Sequence, residues 1–337
     1  MPENPPLLSR VADSVYWMAR YIERAENVAR FIGVNLNLQL DLPMEPAQQW
    51  QPLIDTSGDA HEFKRRYGEA TQASVIEFLT YDPANTNSIA SCLRAARENA
   101  RSVRETISSE MWAQVNSMYL DMQAQRRLPD SGQSAEFFRA IRLGCHLFQG
   151  ITDATMSHSE AWHFVRMGRK LERADKTSRI LDVKYFILLP SARVVGTPYD
   201  DIHWSAVLKS VSGFGMYRRK HGRILPRDIV DFLLMDADFP RSVRFCIRCA
   251  DESLHAITGS PMGSFGYPSE QVMGLLRAEL DFTSVDRILG GGLHEYLDAL
   301  QVKMNTLDNS LLNDFVTRLP ASQTQSQTQT AGAHAAD

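Results

Sequence analysis

The chain has 337 residues, of which 44% are hydrophobic, 23% charged and 9% aromatic, and its net charge is −4. That balance predicts an ordinary globular protein with a sizeable core, and the length leaves room for two or three folding units. It excludes recognition of nucleic acid or of an anionic membrane by bulk charge, and four cysteines in so long a chain exclude a disulfide framework.

The opening Met-Pro-Glu-Asn-Pro-Pro lacks the basic and apolar regions of a secretory leader. No later stretch approaches the roughly 18 uninterrupted apolar residues of a membrane span. The expected location is therefore the cytoplasm. Val11, Val15, Met18, Ile22, Ala25, Ala29 and Ile32 step by threes and fours, which predicts a helix from about Ser9 to beyond Ile32. Pro43, Pro46, Pro52 and Gly58 predict a connector over 41–58. Helical periodicity then recurs around 61–80, 88–107, 109–126, 134–157, 160–188, 199–219, 227–236, 241–257, 268–289 and 291–317, with connectors at 189–198 and 259–268. Ser88 and Ser242 stand where N-caps are expected, Pro240 precedes the second, and Gly290-Gly291-Gly292 breaks the last pair of helices. After Pro320 a polar low-complexity run cannot bury enough apolar surface to order itself. No segment reads as a strand, so the expected class is all-α.

One irregular pattern occurs twice. The run from Met18 through Arg20, Glu23, Arg24 and Glu26 to Arg30 reappears from Met167 through Arg169, Glu172, Arg173 and Asp175 to Arg179, at an offset of 149. Further on, Trp50, Lys64-Arg65-Arg66, Gly68, Phe78, Asp82, Ser88 and Cys92 match Trp204, Arg218-Arg219-Lys220, Gly222, Phe232, Asp236, Ser242 and Cys246, at an offset of 154. The expectation is an internally duplicated helical bundle about an approximate two-fold axis. Its first repeat spans 8–156, its second 157–319, and a disordered tail 320–337.

At 100° per residue, the apolar stripe of the first helix lies opposite Tyr16, Arg20, Glu23, Arg24, Asn27 and Arg30, and the second copy places Arg169, Glu172, Arg173 and Arg179 alike. Glu23 and Arg24 are adjacent and point apart, so neither satisfies the other, whereas Arg20 can reach Glu23 at i+3. Arg24 then needs another acceptor, and the second copy offers Glu172, with Arg173 approaching Glu23 in return. Three readings stay open: solvated helix faces, a structural ion-pair network between the copies, and a polar pocket whose arginines grip a carboxylate or phosphate.

Other groupings carry less. Lys64, Arg65 and Arg66, and Arg218, Arg219 and Lys220, lie near helix ends, where cations complement the helix dipole. With Arg241 and Ser242 at a helix start, they alternatively form sites for an anion or an acidic partner. Glu160/His163 and Glu252/His255 repeat the i,i+3 pair of di-iron bundles, to which Glu23 and Glu172 could add carboxylates. This supports a rival reading as a metal-dependent helical enzyme, or one using Glu23 or Glu172 as general base. The expected metal content is nonetheless none, because each histidine is more simply a surface or core residue. Cys246 and Cys249 read as small buried apolar residues. No phosphate-binding loop occurs, and no cofactor is expected.

The segments LSRVADSVYWMARYIERAENVARFI, WHFVRMGRKLERADKTSRILD, ENARSVRETIS and DFLLMDADFPRSVRFC resemble the bacterial alpha-E family of helical proteins with a Glu-Arg motif, from about Leu8 to Leu319. The motif falls on Glu23-Arg24 and again on Glu172-Arg173. The resemblance brings no catalytic role. It implies a genomic association with circularly permuted ATP-grasp proteins and with transglutaminase-like proteins. The expected function is thus a non-catalytic or substrate-holding companion of an ATP-dependent amide ligase, with an ATP-grasp protein as first partner and a transglutaminase-like protein as second.

Overall fold

The computed structural model describes residues 7, 9–41, 46–125, 133–188 and 198–317. The tail predicted after Pro320 and nearly all of the connector predicted at 189–198 lie outside these residues. Among the described residues every regular element is helical. In chain order these are α1 (Ser9–Asp41), α2 (Pro46–Ser57), α3 (Ala60–Tyr67), α4 (Gln72–Thr80), α5 (Ile89–Ser102), α6 (Ser109–Ala124), α7 (Ser134–Thr155) and α8 (Glu160–Leu188). There follow α9 (Pro198–Ser210), α10 (Phe214–His221), α11 (Pro226–Met235), α12 (Val243–Thr258), α13 (Pro268–Phe282), α14 (Val285–Gly291) and α15 (Leu293–Leu312), which ends in a π turn over Asn313–Thr317.

The two longest helices, α1 and α8, pack against each other at the centre. Helices α5 and α7 flank α1, and α6 bridges that pair; α12 and α15 flank α8, and α13 bridges them. The crossing of α1 and α8 is close at Gly168, where a Cβ would stand 2.5 Å from the Tyr16 carbonyl oxygen. A hydrogen at that position lets the two backbones approach. One hydrophobic cluster runs through both groups of helices, from Met18, Ile22, Phe138 and Phe148 to Phe232, Ile247 and Leu297.

The predicted caps form. Ser88 Oγ accepts from Ser91 N at 3.2 Å and donates to the Asp82 carbonyl at 2.9 Å. Ser242 Oγ accepts from Phe245 N at 3.1 Å and donates to the Asp236 carbonyl at 2.5 Å. Each hydroxyl thus closes the loop before its helix and satisfies one of that helix's free N–H groups. The break in the glycine run falls at Gly292, whose φ of 98° suits a residue without a Cβ.

The connector expected over 41–58 is instead largely α2. Pro52 sits inside that helix, but Trp50, Leu53 and Ile54 are buried on it, and their packing outweighs the proline. Three continuous helical patterns are also divided. The 61–80 stretch breaks at Gly68, with Thr71 restarting the chain as α4. The 199–219 stretch breaks at Val211–Gly213, and 268–289 breaks at Thr283, with Ser284 capping α14. Periodicity survives such breaks because both pieces bury the same side. The connector predicted at 259–268 is found between α12 and α13, beginning at Gly259 in the left-handed region.

Candidate functional site

Most of the charged residues of α1 do not face water. Arg20, Glu23, Glu26, Asn27 and Arg30 are buried, as are Glu172, Arg173 and Lys176 on α8, so α1 is enclosed by other helices around most of its circumference. Within this interface Arg24 grips Glu172 through two points, Nε to Oε1 at 2.7 Å and Nη2 to Oε2 at 2.9 Å. Arg173 grips Glu23 in the same manner, Nε to Oε1 and Nη2 to Oε2, both at 2.8 Å. Each Glu-Arg pair is therefore satisfied by the other helix, with planar guanidinium matched to planar carboxylate. Of the three readings open to the sequence, solvated faces are ruled out by this burial.

Each glutamate also receives a second cation. Arg20 Nε donates to Glu172 Oε2 at 3.0 Å, which corrects the expected pairing with Glu23 one turn away. The remaining bonds of Arg20 run from Nη1 to the Tyr16 hydroxyl at 3.1 Å and to Asp308 of α15. At Glu23 the second cation is Arg241, whose Nη1 reaches Oε1 at 3.1 Å and Asn27 Oδ1 at 3.1 Å, while its Nη2 reaches Glu26 at 2.9 Å. Gln149 Nε2 completes that cluster, donating to Glu23 Oε2 at 3.0 Å. Arg30 pairs with Glu26 and donates to Ser212. Arg179 pairs with Asp175 at 2.9 Å, and Arg169 approaches Asp153 at 3.6 Å.

Burial alone would push both glutamate carboxyls up. The Arg173 and Arg241 guanidiniums hold Glu23 far below the usual carboxylate range, and Arg24 with Arg20 do the same for Glu172. Both are fixed as anions with their lone pairs occupied, a poor state for a general base. Burial and the neighbouring Arg30 push the His146 imidazole down to about 4, so it is neutral beside this cluster at physiological pH.

The two ends of the network differ at one pair of positions. The offset of 154 aligns Asn87 with Arg241 in the sequence, and the offset of 149 aligns Lys176 with Asn27. Arg241 fills its surroundings with a long side chain. Asn87 is short: it accepts from Arg24 Nη1 at 2.7 Å and donates to both Asp59 oxygens at 3.1 Å. Beside it opens a polar cavity of about 360 Å³, lined by Arg20, Arg24, Lys176 and Arg179 together with Asp59, Asp175 and Asp308. Arg179 is aimed by its Nε, which donates to Asp175 at 2.9 and 3.0 Å, and its two Nη groups have no hydrogen-bond partner among the described residues. Lys176 Nζ lies 3.4 Å from Asp175. Gly58, with φ of 84°, ends α2 against this cavity; a Cβ there would sit 3.5 Å from Arg179 Nη1.

The other sequence candidates are distributed elsewhere. Lys64-Arg65-Arg66 and Arg218-Arg219-Lys220 end α3 and α10 as cations at helix C-termini. Arg66 and Lys220 each pair at 2.6 Å with an aspartate just past the next helix, Asp82 after α4 and Asp236 after α11. Arg241 and Ser242 do not join them on a surface: both are buried, the first in the central network and the second as a cap. The four residues of the metal alternative are not assembled. Glu160 accepts from Leu7 N, Glu252 pairs with Arg166, and His255 is buried between Asp251 and Glu270. No group of three or more His, Cys, Asp or Glu able to hold a metal occurs among the described residues. All four cysteines are free and buried.

Several contributors escaped the sequence. Asp308, Asn87 and Gln149 lie far from the motif along the chain and belong to no repeated pair of like residues, so nothing in one sequence marks them. Glu26 and Asp175 did carry a signal, since the repeat aligns them as acidic residues four positions before Arg30 and Arg179.

Comparison with known proteins adds the family. The model for Alpha-E, described as a predicted alpha-helical domain with a conserved ER motif, matches residues 7–316. An uncharacterized protein of Mycobacterium bovis (strain ATCC BAA-935 / AF2122/97) is 24% identical over 274 residues, which cover 74% of this chain and 30% of that protein. An uncharacterized protein of Mycobacterium tuberculosis (strain CDC 1551 / Oshkosh) gives the same figures, and one of strain ATCC 25618 / H37Rv is 23% identical with the same coverage. The chain thus spans about 30% of the length of these curated relatives. No solved structure matches. Among the described residues no helix is long and apolar enough to cross a membrane. The chain belongs to the Alpha-E family.

Proposed function

We propose that this member of the Alpha-E family is a substrate-holding, non-catalytic companion of an ATP-dependent amide ligase, and that its polar cavity receives a carboxylate. The observation carrying this reading is the cavity beside Glu172. There the Glu-Arg network uses up its own charges in forming a rigid wall, while Arg179 keeps two Nη groups unbonded and Lys176 adds an ammonium. A guanidinium held at its Nε presents its remaining donors in a fixed fork, suited to two-point recognition of a carboxylate. Chemistry at the bound carboxyl, its activation by ATP and attack by an amine, is assigned to the ligase.

In the same reading the chain is an internal duplication. Reciprocal Arg24–Glu172 and Arg173–Glu23 grips, and caps at Ser88 and Ser242, support that view. The copies have diverged at Asn87 and Arg241, so that binding is confined to one of two related places. The partners are a circularly permuted ATP-grasp protein and, second to it, a transglutaminase-like protein, in the cytoplasm. Most of each mycobacterial relative lies outside the matched part, which suits a fold that works next to other machinery. The test is reconstitution with a circularly permuted ATP-grasp protein. Amide formation and ADP release should require both proteins; full turnover by the ligase alone, or by this chain alone, contradicts the proposal.

A further inference from the structure

The polar cavity has a neighbour. A second cavity of about 340 Å³ shares Trp17, Asn305 and Asp308 with it and is otherwise mainly apolar, walled by Phe164, Met167, Leu311 and Phe315. The shared wall is built firmly. Trp17 packs edge-on against Tyr16 at 5.9 Å and lies under the Arg20 guanidinium at 4.9 Å. Asp308 accepts from the Tyr16 hydroxyl at 2.6 Å and pairs with Arg20, so its charge is taken up inside the wall. On the far side Phe164 and Phe315 meet edge to face at 5.5 Å.

We infer that the two cavities are compartments of one site, and that its ligand is a carboxylic acid carrying an apolar arm. The carboxylate lies against Arg179 and Lys176, and the arm passes Trp17 and Asp308 to lodge against the edge-to-face pair of Phe164 and Phe315. This rests on the reading of the polar cavity as a carboxylate site and specifies what that carboxylate is attached to. Each compartment by itself is at the small end of ligand pockets; together they fall in the usual range and offer the usual mixture of an apolar lining with a few directed polar groups. A small hydrophilic acid would leave the apolar compartment unused. A neutral apolar molecule would leave the free donors of Arg179 unanswered.

Calorimetric titration of the full chain with three probes separates the two statements. The acid 3-phenylpropionate should bind at least about tenfold tighter than acetate, since its arm removes several methylene equivalents from water. It should also bind tighter than 3-phenylpropanol, which has the arm without the charge. Leu312→Glu, at the partly exposed edge of the apolar compartment, should bring 3-phenylpropionate down to the level of acetate and leave acetate unchanged. Arg179→Gln should weaken both acids and spare the alcohol. Acetate and 3-phenylpropionate binding equally, with Leu312→Glu silent, would overturn the two-compartment site and leave the polar cavity standing. An alcohol that binds as well as the acid, with Arg179→Gln silent, would overturn the carboxylate reading itself, and no binding of any probe would overturn both.

Discussion

Arg173 on α8 holds Glu23 on α1 through two hydrogen bonds of 2.8 Å, across 150 residues of chain, and the glutamate is fully enclosed. Arg24 and Glu172 make the reverse bond between the same two helices. The interface at the centre of the fold is therefore ionic, and its charges are mutually dependent. Replacing both members of such a pair with apolar groups can be tolerated, whereas removing one strands the other in a medium that solvates it poorly.

Glu172→Gln should accordingly destabilise the protein by about 3–5 kcal/mol, because Arg24 and Arg20 lose their common counter-ion. Adding Arg24→Met should cost much less than its effect alone. Urea unfolding of the two single variants and the double variant checks this, and simple additivity would show that the pair is not coupled.

Acid should act through the same residues. The Glu23 and Glu172 carboxyls are held below their ordinary value of 4.5, so the folded chain binds fewer protons than the unfolded chain as pH falls. Their stabilisation is complete above that value and is lost progressively below it. The stability advantage of wild type over Glu172→Gln should hold from pH 7 to about 5 and shrink towards pH 3. A constant difference over that range, measured by chemical denaturation, would contradict the assignment.

The helix crossing gives a steric prediction. Gly168→Ala places a methyl group 2.5 Å from the Tyr16 carbonyl oxygen and should destabilise by about 1–3 kcal/mol despite the better helix propensity of alanine. Gly150→Ala, within α7 and with nothing within 4 Å of the new methyl, should instead stabilise by about 0.5–1 kcal/mol. Thermal unfolding of both variants decides it; the same sign for both would refute the close approach.

How far the sequence foresaw this arrangement depended on the kind of signal. The Arg24–Glu172 and Arg173–Glu23 grips could be anticipated because adjacent Glu and Arg cannot satisfy each other on a helix and the same motif recurs. Ser88 and Ser242 were legible because capping is local chemistry. Arg20 was misassigned to Glu23, since i,i+3 spacing says what can be reached but not which competitor is nearer; Glu172 and Asp308 were nearer. Helix α2 was missed because its prolines argue locally against a helix, while the burial of Trp50 and Ile54 that sustains it is tertiary. The polar cavity could not be foreseen at all. Its lining residues, Arg24, Asn87, Arg179 and Asp308 among them, come from distant parts of the chain, and a void between them has no signature along it.

The alignment of Asn87 with Arg241 suggests a variant. Asn87→Arg puts into the polar cavity the side chain that Arg241 supplies near Glu23, and it should fill the space without disturbing α5 or its cap. A destabilisation of about 1–3 kcal/mol is expected, because Arg24 Nη1 loses its acceptor and meets a like charge, together with loss of 3-phenylpropionate binding.

The central claim is that the cavity beside Glu172 holds a carboxylate-bearing molecule for a ligase. It is tested most directly by native mass spectrometry of the chain co-expressed with a circularly permuted ATP-grasp protein, in wild-type and Asn87→Arg forms. The account predicts a carboxylate-bearing small molecule retained by the wild type and absent from the variant. A wild-type chain that carries no such molecule, or a variant that carries the same one, would contradict it.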